Sequence, residues 1–162
     1  QTLNLVSTAT SGLSVPVVTA SSTPVNWYNQ FGWYNDLVVS GQREVTNPSI
    51  FNGAFISTLN TPPQSCSTTF TSMLLELNFK TGGAFSNPQI IGIGANGAAN
   101  NQYYYSGVVA VQLSNSFANA ATLVGPNQGN NIVLLITQSD GSQSTILNPN
   151  ATQRKTGWWQ LP

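Results

Sequence analysis

Hydrophobic and polar residues alternate along much of this chain, most clearly in the segment 67–80. Successive side chains of a β-strand point to opposite faces, so a period of two predicts a strand with one buried and one solvated face. The predicted buried face holds Met73, Leu75, Leu77 and Phe79, and the predicted solvated face holds Ser72, Glu76, Asn78 and Lys80. Phe70 and Leu74 fall on the second face, which predicts partial cover there.

Other segments also have the pattern of strands. The segment 103–113 predicts another long strand, with Val109, Val111 and Leu113 on one face. The segment 131–138 is apolar on both faces, as a strand in the middle of a sheet is. Asp140-Gly141 separates that second segment from 143–147 and predicts a β-hairpin with a two-residue turn. Shorter strands are predicted at 37–40, 44–46, 50–59, 89–93 and 121–124.

The chain has no stretch with the i, i+3, i+4, i+7 spacing of apolar residues that an amphipathic helix requires. Gly, Pro and Asn separate the apolar runs at intervals typical of β-turns. A chain of 162 residues fits one domain. The sequence therefore predicts an all-β protein, a single β-sandwich of jelly-roll or immunoglobulin-like type.

The N-terminal residues have a pattern of their own. Apolar side chains occupy odd positions, and a Ser, Thr and Pro stretch follows at 21–24. This pattern predicts an extended N-terminal arm and linker at 1–24, joined to a sandwich domain at 25–162. The arm can add a strand to a neighbouring copy, with its apolar side chains filling pockets there. These side chains are Leu3, Leu5, Leu13, Val15 and Val17. The alternative is that they belong to the first strands of the same sandwich.

Charge is scarce in this protein. It has four Lys and Arg, four Asp and Glu and no His, so 5% of residues are charged, against about a quarter in most proteins. A neutral surface of this kind offers little repulsion between copies, which favours self-association. So few basic residues cannot form a phosphate-binding stripe, and no nucleic acid and no membrane insertion are expected. Few titratable groups also predict a weak dependence of stability on pH.

The common catalytic and metal-binding groups are also missing from the sequence. Without His there is no Ser-His or Cys-His pair, and Cys66 alone predicts an inert, half-buried thiol. Glu76 is the carboxylate that merits a test as a catalytic acid. The stretch 92–97 matches G-x-G-x-x-G by its letters, but no helix signal or acidic residue follows at the spacing that dinucleotide binding needs. We therefore expect no catalytic residue, no cofactor and no metal site.

Aromatic residues cluster at 27–34. Trp27, Tyr28, Phe31, Trp33 and Tyr34 are interpreted as part of the core, as a contact between subunits or as a platform for glycans. The high content of Ser, Thr, Asn and Gln and the first residue, Gln1 in place of Met, predict an extracellular protein from which a signal peptide has been removed. Asn150 begins an Asn-Ala-Thr triplet and is a candidate for N-glycosylation.

The low charge, the Ser/Thr/Asn/Gln-rich strands and the predicted arm together resemble extracellular filament subunits that polymerise by donor-strand exchange, in particular pilus or thread subunits of thermophilic archaea. The resemblance implies that the N-terminal strand of each copy completes the sandwich of the next, in a filament at the cell surface. Copies of the chain itself are then the main partner. Two alternatives stay open: a viral single jelly-roll capsid or fibre-head protein at the virion surface, and a carbohydrate-binding module with surface glycans as partners.

Overall fold

A computed structural model describes residues 1–10, 13–51, 53–66, 68–85, 107–124 and 132–148. The regular elements in these residues are β-strands, and the strands pair in antiparallel fashion. The strands are β1 (Leu3–Thr10), β2 (Leu13–Ala20), β3 (Arg43–Glu44), β4 (Ser49–Phe51), β5 (Ala54–Thr61), β6 (Thr71–Asn78), β7 (Val108–Ser114), β8 (Thr122–Val124), β9 (Ile132–Thr137) and β10 (Gln143–Asn148). Within these ranges no helix is long and apolar enough to cross a membrane.

The strands form two sheets. The larger sheet has the order β1-β2-β7-β6-β5-β3, and β4 pairs with β5 beside β3. The smaller sheet has the order β10-β9-β8, which places the predicted central strand, β9, in its middle. The prediction of an all-β sandwich is therefore confirmed.

The central strands β5 and β6 of the larger sheet are buried on both faces. The inner face of this sheet packs against the smaller sheet, where Ile56 and Leu74 meet Leu134 and Ile136 in one apolar cluster. Its outer face carries a second cluster, which the segment 21–42 covers. The outer cluster includes Val18, Leu59, Met73, Leu75 and Leu77, with Trp33 and Val38 packed against them.

A buried asparagine joins the two layers. The Asn60 side-chain amide donates to the Ala118 carbonyl oxygen at 3.0 Å, and its oxygen accepts from the Ala118 amide at 2.8 Å. Asn60 lies on β5, while Ala118 lies between β7 and β8 and forms a bridge with Gln138. Because a buried unpaired backbone group costs about 1–3 kcal/mol, Asn60 stabilises the connection by satisfying both groups at once.

The predicted solvated face of β6 is buried. Ser72, Leu74 and Glu76 lie on the inner face, and Glu76 is only 4% exposed. By contrast Phe79, predicted to be buried, follows the end of the strand and is 47% exposed. Alternation identified the two faces of β6 correctly, but the second sheet covers the face that was expected to meet water.

Two predicted strands and one predicted turn differ from the structure. The predicted strand 50–59 is a hairpin, in which β4 pairs with β5 and Phe51 faces Ala54 across the turn. The Asp140-Gly141 hairpin has a three-residue loop: the Gln138 amide donates to Ser142 O, and the Gly141 amide donates to Gln138 O. Gly141 has φ of +83°, which is typical of a type I turn followed by a bulge. The predicted strand 37–40 is a bend.

The N-terminal segment forms a hairpin within its own chain. β1 pairs with β2, and β2 pairs with β7 through Val17 and Val111. Leu3 belongs to the outer cluster, Val17 to the inner cluster, and Leu5 is exposed, so these three do not form one apolar stripe. The register pairs Leu3 with Ala20 and Leu5 with Val18, so odd residues of β1 share a face with even residues of β2, and Val17 lies on the opposite face from Leu3. Leu13 pairs with Thr10, and Val15 pairs with Thr8.

The division into an arm at 1–24 and a domain at 25–162 stays a prediction, as does the role of the arm in assembly. The predicted strand 89–93, the glycine-rich stretch 92–97 and Asn150 lie outside the described residues.

Candidate functional site

An exposed aromatic loop, residues 26–36, lies beside the outer face of the larger sheet. Trp27, Tyr28, Phe31 and Tyr34 are exposed, with Tyr28 at 101% and Phe31 at 103%, whereas Trp33 is half-buried. Of the predicted aromatic residues, Trp33 therefore has the core position, and the other three point to solvent. Tyr28, which stands between Trp27 and Asn29 in the same predicted cluster, also points to solvent.

Hydrogen bonds within the loop give it a defined shape. Asn26 O accepts from the amides of Asn29, at 3.1 Å, and Gln30, at 2.8 Å. Asn26 Oδ1 accepts from the Tyr28 amide at 3.1 Å, and Gln30 Oε1 accepts from the Asn26 amide at 2.6 Å. The side chains of Asn26 and Gln30 thus close the turn that carries Trp27 and Tyr28. Asn is suited to this position because its side chain reaches the backbone two residues ahead.

Trp33 anchors the loop to the sheet. Its indole ring lies on Gly82, its Nε1 donates to Phe79 O at 2.9 Å, and it meets the Phe55 ring edge-on, with centroids 6.1 Å apart. Asn35 Nδ2 donates to Gly82 O at 2.8 Å. A Cβ atom at Gly82 would overlap the indole ring, and the φ of +68° there favours glycine as well. The turn after β6 is therefore shaped to receive Trp33.

Gln1 ties the N-terminal strand to the same region. The backbone nitrogen of Gln1 donates to Tyr34 O at 2.9 Å, and its Nε2 donates to Thr23 O at 2.6 Å and to Thr81 O at 2.8 Å. Gln1 Oε1 accepts from Ser21 Oγ and from the Thr23 amide. The start of β1, the aromatic loop and the turn after β6 consequently form one hydrogen-bonded unit.

The loop has almost no charge. Residues 1–42 contain no Lys or Arg, and Asp36, at the end of the loop, is the one acidic residue among them. The exposed polar side chains of the loop include the amides of Asn26, Asn29 and Gln30. Such a surface presents aromatic rings and neutral hydrogen-bonding groups, and it offers little attraction to an anionic partner.

The two edges of the larger sheet differ in chemistry. At one edge, β3 has two residues, both charged, and β4 has three, with Pro48 between the two strands. At the other edge, β1 has eight residues without charge or proline, and among the described residues its hydrogen-bonded neighbour is β2 alone. Short strands, charges and prolines protect sheet edges against pairing with another chain. The β3 and β4 edge has these protections, and β1 has none of them.

The titratable groups do not gather into a reactive site in the described part of the chain. Burial raises the pKa of Glu76 to about 8, and its Oε1 has no hydrogen-bond partner among the described residues. Two hydrogen bonds to Asp140, from the Ser142 hydroxyl at 2.6 Å and the Ser142 amide at 2.9 Å, lower the pKa of that carboxyl. Cys66 is exposed, contrary to the expectation of a half-buried thiol. Across the described ranges no three His, Cys, Asp or Glu residues lie together.

The chain matches no known family model, and no curated protein is similar to it at a significant level. Its fold is similar to that of the PilY1 C-terminal domain from Pseudomonas aeruginosa, with a TM-score of 0.64 and 20% sequence identity. The match covers 92% of this chain and 31% of that one, so the chain spans about a third of the length of its structural neighbour. At this level of identity the similarity concerns the fold, and it agrees with the all-β architecture described above.

Proposed function

We propose that this protein is a structural subunit of an extracellular, pilus-related assembly, in which copies associate by strand addition at the outer edge of β1. The observation that carries the proposal is the contrast between the protected edge at β3 and β4 and the unprotected edge at β1. The structural neighbour, a pilus-associated domain, supports a surface location and a pilus-related role. The proposed role is structural and uses no catalytic group or cofactor.

Strand addition suits the chemistry of β1. An eight-residue edge presents a row of backbone donors and acceptors, which a second strand satisfies in the manner of β-augmentation. The resemblance to donor-strand subunits suggested that the N-terminal strand leaves its own sheet. Since β1 and β2 form a hairpin that pairs with β7, addition to the outer edge of β1 requires no such rearrangement.

The experiment that tests this proposal places a charge on each edge in turn. Leu5, 51% exposed on β1, and Ile50, 58% exposed on β4, are replaced by Lys in separate variants. Because an edge lysine opposes pairing with another strand, we expect Leu5→Lys to lower self-association at least tenfold. Ile50→Lys, with the same added charge and a similar exposure, should associate like the unmodified protein. Sedimentation velocity over a range of concentrations measures the difference.

Equal association of the two variants would contradict strand addition at β1, and so would an unmodified protein that stays monomeric at high concentration. Negative-stain electron microscopy of assembled material then distinguishes the architectures. A filament forms if the rotation between neighbours leaves the assembly open, and a ring or a shell, as in a viral jelly-roll capsid, forms if it closes.

A further inference from the structure

We propose that the aromatic loop is a binding site for a neutral polysaccharide, in which Trp27, Tyr28, Phe31 and Tyr34 stack on successive sugar rings. These side chains are exposed on a loop that hydrogen bonds and Trp33 hold in place. The proposal concerns a different surface from the β1 edge and does not depend on strand addition.

The chemistry of the loop fits a sugar better than other partners. One face of a pyranose ring presents C–H groups that pack on an aromatic ring, and its rim presents hydroxyls that bond to amides. The loop supplies both, because the amides of Asn26, Asn29 and Gln30 flank the rings along the chain. Asn26 and Gln30 use their side-chain oxygens within the loop, and their amino groups have no hydrogen-bond partner among the described residues. The absence of Lys and Arg from 1–42 argues for a ligand without charge.

The exposure of the rings favours a polymer over a single sugar. Tyr28 and Phe31, at 101% and 103%, stand out from the surface and do not line a cleft. A single sugar would then contact one ring, and one stacking contact changes affinity by only about fivefold. A polysaccharide contacts several rings with the same chain, and the combined contacts bind much more tightly than any one of them.

The loop is also prepared for binding before the ligand arrives. Several contacts fix the backbone of the loop. They are the hydrogen bonds of Asn26 and Gln30, the packing of Trp33 on Gly82 and the hydrogen bond from Asn35 to Gly82 O. Binding therefore orders few groups, and less of the contact energy is lost to entropy. Trp33 acts as a positioning residue, whereas the four exposed rings make the contacts.

The test measures adsorption to insoluble cellulose and chitin as neutral polysaccharides, with soluble cellohexaose and chitohexaose as competitors. The double variant Tyr28→Ala/Phe31→Ala removes two rings whose exposure shows that they support no packing, so its melting temperature should equal that of the unmodified protein. We expect its affinity for the polysaccharide to fall at least tenfold. Ile50→Ala removes an exposed apolar side chain from another surface and should bind normally. Leu5→Lys, which weakens strand addition, should also bind normally.

Failure of the unmodified protein to bind either polysaccharide would overturn the proposal, as would binding that the loss of Tyr28 and Phe31 leaves unchanged. Two further outcomes would assign the loop to another partner and also overturn it. One is ring-dependent binding to phosphatidylcholine vesicles without binding to sugars, and the other is loss of self-association in Tyr28→Ala/Phe31→Ala. A failure here leaves the comparison of Leu5→Lys with Ile50→Lys unaffected, so the two proposals fail independently.

Discussion

Glu76 shows what a residue-level pattern in this sequence can and cannot predict. The alternation in β6 correctly placed Glu76 on the opposite face from Met73 and Leu75. The face to which a side chain points depends only on the position of its residue along the strand, which is a local property. The same pattern could not tell that β9 would cover the face of Glu76, since that cover comes from a segment distant in sequence. The same holds for the aromatic residues. Trp33 packs on Gly82, and no local pattern in the sequence connects these two residues.

The burial of Glu76 predicts a dependence of stability on pH that the small number of titratable groups did not suggest. Its folded pKa of about 8 lies above the ordinary value of 4.5 for a glutamate. Between these values the unfolded chain releases the proton and the folded protein keeps it, so the free energy of unfolding falls as the pH rises from 4.5 to 8. The loss is on the order of 5 kcal/mol across this window. Urea unfolding at a series of pH values measures it.

Glu76→Gln is the control for this prediction, because glutamine has a similar shape and does not titrate. Its stability should be nearly constant over the same window, and the two proteins should differ most at pH 8. A parallel pH dependence in both would contradict the assignment to Glu76. Asp140 acts with the opposite sign, since its lowered pKa contributes stability that is lost as the pH falls through its folded value.

At the scale of elements, strands were more predictable than the turns between them. The apolar runs that became β6, β7, β9 and β10 were recognised because each combines strand-forming residues with flanking turn residues. The break between β4 and β5 was missed although Asn52-Gly53 is a strong hairpin signal, because the apolar residues on both sides read as one strand. Pairing of β2 with β7 depends on contacts across most of the chain and has no local signal.

The turn after β6 offers a test of how the aromatic loop is anchored. Gly82 and Gly53 both have positive φ, at +68° and +82°, but only at Gly82 does an added Cβ meet the Trp33 ring. Gly53→Ala should therefore cost about 1 kcal/mol from backbone strain, and Gly82→Ala about 3 kcal/mol, because it also displaces Trp33. Denaturant unfolding gives both values. Limited proteolysis should cut residues 26–36 faster in Gly82→Ala, and equal costs with equal cleavage would contradict the anchoring role.

At the scale of the whole molecule, the prediction of a single all-β sandwich was confirmed, while the burial of both faces of the central strands in its larger sheet was not foreseen. The smaller sheet covers one face and the segment 21–42 covers the other. That segment was expected to contain a linker and a strand at 37–40. Instead Trp33 and Val38 pack on the outer cluster from irregular backbone, which has no periodic signal in the sequence.

Scarce charge predicts how the whole molecule associates. With four basic and four acidic residues in the chain, ion pairs can contribute little to contacts between copies. Self-association should therefore change less than about twofold in affinity between low and high salt, because only charge interactions are screened. Sedimentation velocity at several sodium chloride concentrations measures this. A strong weakening by salt would instead point to contacts that involve residues such as Arg43 or Lys80.

The pairing of β2 with β7 also sets the order of events while a new chain is being made. β1 and β2 leave the ribosome before β7, which follows only after the rest of the larger sheet, at a synthesis rate of about 5–20 residues per second. For several seconds the N-terminal hairpin therefore has no partner on either side. During this interval, the β7 of another nascent chain can take the place of its own. Dense translation should then favour domain-swapped dimers, and slower expression should favour monomers that close on themselves.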